Sequence, residues 1–377
     1  MKIVSLVSAI TVFVLSSVQP AYAGKHQTPL AEAFAPHFKI GAAVSRAQIM
    51  GNEPEATRLV LKQFNTLTPE NVMKWEKIEP LENQFDWEAA DTLVDFAGEH
   101  AIQVAGHVLV WHQQTPDWVF KDVDGNPASR ELLLSRMENH INTVVGRYRG
   151  RVHSWEVVNE ALEEDGSLRQ TPWLEIIGDD YIDRAFEFAH AADPGALLYY
   201  NDYNLFKPEK AAGARKLIQG LQERGLAIHG AGMQGHYGLD NPRHMTEFND
   251  AISRFGDMGL EVYITEMDLS VLPFPPQEEW GADISINLEL NELYNPFADG
   301  ISAEAEDIQA RQYAKLFQVL VANRQTVSRV TFWGVTDAHS WKNDWPMQGR
   351  TDYPLLFGRD FKPKPVFYRV TDLSKNH

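Results

Sequence analysis

Short apolar runs that break off on polar or aromatic residues recur along this chain, alternating with amphipathic helical stretches. The clearest is 152–161, Val-His-Ser-Trp-Glu-Val-Val-Asn-Glu-Ala. Val152, Trp155, Val157 and Val158 are the β-branched and aromatic residues that a buried strand favours. Asn159 and Glu160 end the run, and both are costly to bury unpaired. A second run of the same form, at 261–269, carries Glu266 and, two residues on, Asp268. Further strands are predicted at 38–44, 65–68, 103–111, 197–200, 229–234 and 330–334. The 3.6-residue period predicts helices over 56–64, 91–100, 130–148, 180–192, 208–223, 244–255 and 307–322, with a short one at 30–37. Eight strands alternating with helices, without a shift in composition, predict a single-domain α/β fold, a (β/α)8 barrel. A doubly wound open sheet shares the alternation, but it gathers its ligand groups at one switch point. Here almost every strand end carries polar or aromatic residues.

Composition sets the surroundings. The chain has 377 residues and opens with Lys2, an apolar run over 3–18 and Ala21-Tyr22-Ala23. This is the pattern of a secretory signal peptide over 1–23, so a secreted or periplasmic address is expected. The run is too short and too rich in Ser and Thr to read as a membrane span. The remaining 24–377 is long for an ordinary domain and normal for a barrel with insertions. Cysteine is absent, so neither disulfides nor thiolate-bound metals hold the fold. A net charge of −18 disfavours nucleic acid and anionic membranes as partners and leaves a neutral polymer acceptable. An acidic, Pro-containing stretch at 273–305 follows the strand of Glu266, and a loop this long in a compact domain is functional or mobile.

Two strand-end glutamates, Glu160 and Glu266, are the minimum equipment for glycoside hydrolysis: one acid, and one nucleophile or base. Other polar and aromatic groups collect at the same ends. Glu70, Asn71 and Lys74 follow the second strand; His107, Trp111, His112 and Gln114 lie at the third. Asn201, Asp202 and Asn204 follow the fifth, Gln234 and His236 the sixth, Trp333 and Trp341 the eighth. Duller readings exist for several. His107 alone reads more readily as a satisfied core histidine. Asn201, Asp202 and Asn204 fit Asx turns. Lys74 fits a solvated helix charge, and Trp75 and Trp155 read as core. The histidines raise a metal site, but ligation needs three or four convergent donors, and the carboxylates are better explained as an acid/base pair. Neither a metal nor a cofactor is expected.

These segments together resemble the glycoside hydrolase family 10 endo-1,4-β-xylanases over 35–370. The resembling stretches are Thr-Pro-Glu-Asn-Val-Met-Lys-Trp (68–75), Gly-His-Val-Leu-Val-Trp-His (106–112), Trp-Glu-Val-Val-Asn-Glu-Ala (155–161), Tyr-Asn-Asp-Tyr-Asn (200–204), Gln-Gly-His (234–236), Ile-Thr-Glu-Met-Asp (264–268) and Trp-Gly-Val-Thr-Asp (333–337). Each is weak alone, and seven in order are specific. The resemblance implies a retaining enzyme with Glu160 as general acid/base and Glu266 as nucleophile. It implies that Asn159 holds the sugar 2-hydroxyl, and that Glu70, Asn71 and Lys74 contact the sugar upstream of the cleavage point. His107, Trp111 and Gln114 would wall that pocket, Asn201 and Gln234 would line the cleft, and Trp333 and Trp341 would roof the −1 sugar. Asp268 and His236 would orient the nucleophile. The implied partners are xylan and xylooligosaccharides, met by a monomer without metal or cofactor. The 273–305 stretch is then expected to lengthen the cleft on the leaving-group side, a solvated flap being the alternative. A cellulase or mannanase on the same barrel is the rival enzyme, and a binding protein that has lost catalysis is the rival of another class.

Overall fold

The structure, a computed structural model, describes residues 28–239 and 245–375. The expected leader at 1–23, and His244 at the start of one predicted helix, lie outside the described residues. The strands are β1 (Lys39–Val44), β2 (Thr66–Pro69), β3 (Gln103–Gly106), β4 (Ser154–Asn159), β5 (Leu197–Asp202), β6 (Gly230–Met233), β7 (His236–Gly238), β8 (Glu261–Ser270) and β9 (Val327–Phe332). Neighbours run β6-β5-β4-β3-β2-β1-β9-β8, and a β6–β8 pairing closes the ring. Every pairing is parallel. The result is the expected closed eight-stranded barrel with helices between the strands. The short β7 pairs with β8 alone, above the ring.

The strands alternate between two buried surroundings, the barrel interior and the layer under the helices. The interior is not wholly apolar. Arg329 of β9 is buried inside the ring, where Nη1 donates to Ser154 Oγ at 2.9 Å and Nη2 to Tyr199 Oη at 3.2 Å. Its guanidinium lies 4.6 Å from the Tyr263 ring centroid. One cation thus ties β9 to β4, β5 and β8, with its two terminal nitrogens donating to hydroxyls and its plane against an aromatic face. Outside, helices Arg130–Arg147 and Ala303–Ala322 start on serine caps, Ser129 accepting from Leu132 N–H and Ser302 from Ala305 N–H. Among the described residues no helix is long and apolar enough to cross a membrane.

The structure departs from the sequence reading in several places. The third strand, expected over 103–111, ends at Gly106. The chain then leaves the ring but keeps pairing with β4: Leu109 N–H donates to Glu156 O and Val110 N–H to Val157 O. The last barrel strand, expected at 330–334, begins at Val327, because the charge of Arg329 disguises a residue that faces inward. β7 lies beyond the strand predicted at 229–234 and is not among the predicted strands. A final helix, Pro365–Leu373, is not among the predicted ones; Pro365 stands in its first turn, where its missing N–H costs nothing. Trp75 and Trp155 are core, as expected.

The 273–305 segment is not a free flap. Gly281 N–H donates to Pro346 O at 2.7 Å, Gln348 N–H to Ala282 O at 2.9 Å and Ile284 N–H to Gln348 O at 3.1 Å. Arg350, buried, donates to Tyr294 O and Pro273 O. The segment is stitched to the loop that follows β9.

Where β3 meets β4, Trp155 lies flat against Gly106, and a Cβ on Gly106 would stand 2.2 Å from Trp155 Cε3. A Gly106→Ala variant must displace a buried indole and is expected to lose about 1–3 kcal/mol, read as a drop in the thermal unfolding midpoint. An unchanged midpoint would mean that Trp155 repacks freely.

Candidate active site

Both glutamates stand at carboxyl ends of strands, as a parallel barrel requires of groups that share one mouth. Glu160 follows β4, and Glu266 lies within β8. Glu160 holds a left-handed backbone, φ 56°, rare for a residue with a side chain. Hydrogen bonds hold it there: Glu160 N–H donates to Asn201 O at 2.9 Å, and Arg169 Nε donates to Glu160 O at 3.0 Å. The next residue, Ala161, donates its N–H to Tyr200 Oη at 3.2 Å. Tyr200 in turn donates to Asp202, which pairs with Lys210 Nζ at 2.9 Å; these three side chains are fully buried. Burial pushes the Asp202 carboxyl up to about 7, although Lys210 and Tyr200 pull it down.

A chain of side-chain amides links the two glutamates. Gln234 Nε2 donates to Glu160 Oε1 at 2.8 Å and lies 3.3 Å from Asn159 Oδ1. Asn201 Nδ2 donates to Asn159 Oδ1 at 3.1 Å and to Glu266 Oε1 at 3.0 Å. Thr265 Oγ1 donates to Asn201 Oδ1 at 2.7 Å, which fixes that amide's orientation. Asn159, Asn201 and Gln234 are all buried. Glu156 and Asn159, three residues apart on β4, both reach the mouth, which strict alternation forbids. A register shift between Glu156 and Val158 resolves it, as a bulge re-aims the following side chain.

Glu266 receives a second donor on its other oxygen. His236 Nε2 lies 3.2 Å from Glu266 Oε2, and His236 Nδ1 lies 2.9 Å from Asp268 Oδ2. Trp341 Nε1 donates to the same Asp268 oxygen at 2.8 Å. β7 exists to make this triad: its pairing sets His236 directly beside Asp268. Gly235 permits the sharp step from β6 into β7 with φ 88°. Burial disfavours a charged imidazole, but the Asp268 and Glu266 carboxylates outweigh it and raise His236 to about 9. Asp268, despite its burial, is held below the ordinary carboxylate range by His236 and by Lys342.

His107 behaves oppositely. Buried, and with the Lys74 cation nearby, it falls to about 3 and stays neutral. Its Nδ1 lies 3.1 Å from Glu156 Oε2. Burial, reinforced by the Glu160 charge, raises Glu156 well above the ordinary range. His107 is the neutral partner of this contact, and which of the two groups donates across it is set by the imidazole tautomer. The Trp333 ring meets the His107 ring edge-on at 5.2 Å, and Trp341 approaches His236 at 4.9 Å.

A polar group forms the adjoining wall. Lys74, only 7% exposed, donates through Nζ to Gln114 Oε1 at 2.7 Å and Asn71 Oδ1 at 3.0 Å, and it lies 5.1 Å from the Trp111 ring centroid. It is a buried cation and not the solvated helix charge of the duller reading. Burial pulls its ammonium below the lysine range, against the pull of Glu266, Glu70, Glu156 and Glu160. Burial also raises Glu70 above the ordinary carboxylate, against Lys74 and Asn71.

The structure therefore brings together Glu160, Glu266, Asn159, Asn201, Gln234, His236, Asp268, Trp333, Trp341 and His107 in one hydrogen-bonded or ring-contact network, with Glu70, Asn71, Lys74, Trp111 and Gln114 in a second group beside it. Sequence reasoning missed Glu156, whose signal was a lone charge in the middle of an apolar strand. It also missed the Tyr200–Asp202–Lys210 support, which carried no signal beyond a tyrosine and an aspartate in a turn-like stretch. Among the described residues, His107, Glu156 and Glu266 offer donor atoms within 4.8 Å of one another. Three donors are one short of the four that close a structural site. Chemically, the mouth offers two carboxyl groups on separate strands, one flanked by an imidazolium and the other by neutral amides.

The Glycosyl hydrolase family 10 profile matches residues 29–373. The endo-1,4-β-xylanase A of Xylanibacter ruminicola is 40% identical over 353 residues, covering 94% of this chain and 95% of its own. A GH10 endoxylanase retrieved from a sugarcane soil metagenome superposes with a TM-score of 0.86 at 39% identity, covering 92% of this chain and 100% of that one. A solved structure of a mutant in complex with xylotriose superposes with a TM-score of 0.82 at 40% identity, covering 91% and 99%. On this match across nearly its whole length, the chain belongs to glycosyl hydrolase family 10.

Proposed function

We propose that the protein is an endo-acting, retaining β-1,4-xylanase that cleaves internal bonds of xylan by double displacement. The observation that carries the reading is the amide-linked pair Glu160 and Glu266, each with donors already aimed at a carboxylate oxygen. In this reading Glu266 attacks the anomeric carbon as the anion, while Glu160 gives its proton to the departing glycosidic oxygen. Glu160 then takes a proton from water, which displaces the enzyme from the sugar. Asn201 and His236 hold and aim Glu266, one on each carboxylate oxygen. Gln234 holds Glu160, and Asn159, whose Nδ2 donates to Glu160 Oε1 at 3.3 Å, meets the sugar 2-hydroxyl beside it. The neutral His107 imidazole walls the −1 pocket, under the roof of Trp333 and Trp341. Lys74, Asn71, Glu70, Gln114 and Trp111 hold the preceding sugar. Xylose lacks an exocyclic hydroxymethyl group. Trp341 and Gln114 close to C5 would reject glucose by collision, a stronger bar than a missing apolar contact of about 1–3 kcal/mol.

The stereochemical course tests this directly. Proton NMR during digestion of a xylooligosaccharide is expected to record β-anomeric ends first, mutarotating later; α ends first would mean that the two carboxylates flank a water. Glu266→Ala should abolish turnover of every substrate, whereas Glu160→Ala should retain turnover of aryl glycosides with good leaving groups. Cleavage of mannan or cellulose instead of xylan would keep the barrel chemistry and overturn the substrate.

His236 is proposed as a positioning residue, and its titration gives a second test. Its folded-state pKa is raised to about 9, above the 6.5 of a free imidazole. Its contribution to stability is therefore complete below pH 6.5 and lost as pH rises through 9. The unfolding midpoint is expected to fall by several degrees between pH 7 and 10, and His236→Asn should remove that slope together with most of kcat. Parallel pH profiles for the two proteins would rule out the imidazolium.

Export is inferred from the charged, apolar and Ala-Tyr-Ala segments of residues 1–23. The mature chain recovered outside the cytoplasm should begin at Gly24; recovery of a chain beginning at Met1 would refute the leader.

A further inference from the structure

The aromatic roof does not stop at the pocket. Trp341 stacks on Trp345, centroids 4.7 Å apart and planes 19° apart. Trp345 then meets Trp280 at 5.4 Å and Phe274 at 5.6 Å, and those two meet each other edge-on at 5.7 Å. Phe274 and Trp280 belong to the 273–305 segment and are 57% and 42% exposed. Large aromatic faces left in water forgo roughly 25 cal/mol for each Å² that burial would remove, and grouped ones mark a binding surface.

Their support is rigid. The segment is bonded to the loop after β9 through Gly281, Ile284, Gln348 and Arg350, and Trp280 Nε1 donates to Pro275 O at 3.2 Å. Lys342 Nζ lies 4.4 and 5.2 Å from the Trp341 and Trp345 centroids and backs the stack with a cation. The platform is continuous with the candidate active site, because Trp341 is bonded to Asp268 and so to His236 and Glu266. Strand order sets β8 half a turn from β3, so Phe274 and Trp280, which follow β8, leave the ring opposite Gln114, which follows β3.

A pyranose ring offers C–H groups on its faces, whose slight positive charge suits the electron-rich face of an indole. A neutral sugar also escapes the charge of the neighbouring Glu278, Glu279 and Asp283. We propose that Phe274, Trp280 and Trp345 form a stacking platform for an uncharged pyranose of the same polymer chain, outside the pocket that Trp341 roofs. This rests on the xylanase reading above.

The test is chain-length dependence. Trp280→Ala and Phe274→Ala, made separately, are compared with the unaltered enzyme on an aryl β-xylobioside, on xylooligosaccharides of increasing length and on xylan. An exposed aromatic contact of about 0.5–1.5 kcal/mol converts to roughly a 2- to 12-fold change. A loss of that size in kcat/KM is expected on the longest oligosaccharides and on xylan, with the aryl xylobioside rate and the unfolding midpoint unchanged. Equal loss on short and long substrates would overturn the platform, since the rings would then merely support the roof. Variants that keep pace at every length would overturn it alone. An unaltered enzyme that fails to cut xylan would overturn the xylanase reading and the platform with it.

Discussion

Two carboxyl groups in one buried mouth are tolerable only if each finds donors, and this requirement shapes the fold around them. Glu266 is 5% exposed, so water supplies little of its solvation. Asn201 and His236 supply it instead, one on each oxygen. Asn201 can do so only because Thr265 fixes its amide and Asn159 takes its other proton. His236 can do so only because β7 sets it beside Asp268. The left-handed turn at Glu160 and the bulge in β4 are the backbone's share of the same demand. Strain at such a point persists because its surroundings over-determine it.

The ionisable groups beneath the mouth divide by their neighbours. His236, between two carboxylates, holds its proton; His107, beside a lysine and paired with Glu156, whose carboxyl burial raises, stays neutral. Burial lowers both imidazoles, and the charges and hydrogen bonds around each decide the outcome. The outcome is one imidazolium at Glu266 and one neutral imidazole across the pocket. A second imidazolium at His107 would set a like charge beside the buried Lys74.

The barrel was legible in the sequence because its strands obey a simple rule: apolar runs that end on chemistry. Glu160, Glu266 and most of their companions were legible for the same reason, since polar residues at strand ends have little other purpose. Arg329 and Glu156 were not, because a charge in mid-strand reads as an interruption until a closed ring gives it an interior to occupy. β7 is too short for any periodicity to reveal. Lys210 sits on a helix whose sequence, Pro-Glu-Lys-Ala-Ala, reads as exposed, yet its ammonium is fully buried against Asp202. These pairs are set by tertiary closure, and local pattern carries no trace of them.

The acidic segment after β8 illustrates the same boundary between pattern and closure. Its composition fitted a mobile flap equally well, with prolines, acidic residues and several exposed apolar side chains. What decides against the flap is a set of backbone hydrogen bonds to the loop after β9, which sequence cannot announce because backbone donors are common to every residue. Once stitched there, the segment has little freedom to move apart from the Trp341 loop. Trp341 is bonded to Asp268, and Asp268 to the imidazolium that holds Glu266. A contact made on the outer rings is therefore only a few bonds from the nucleophile candidate. Geometry imposed on the roof by a long substrate would be felt at Glu266, whereas a short substrate would leave the outer part of that chain untouched.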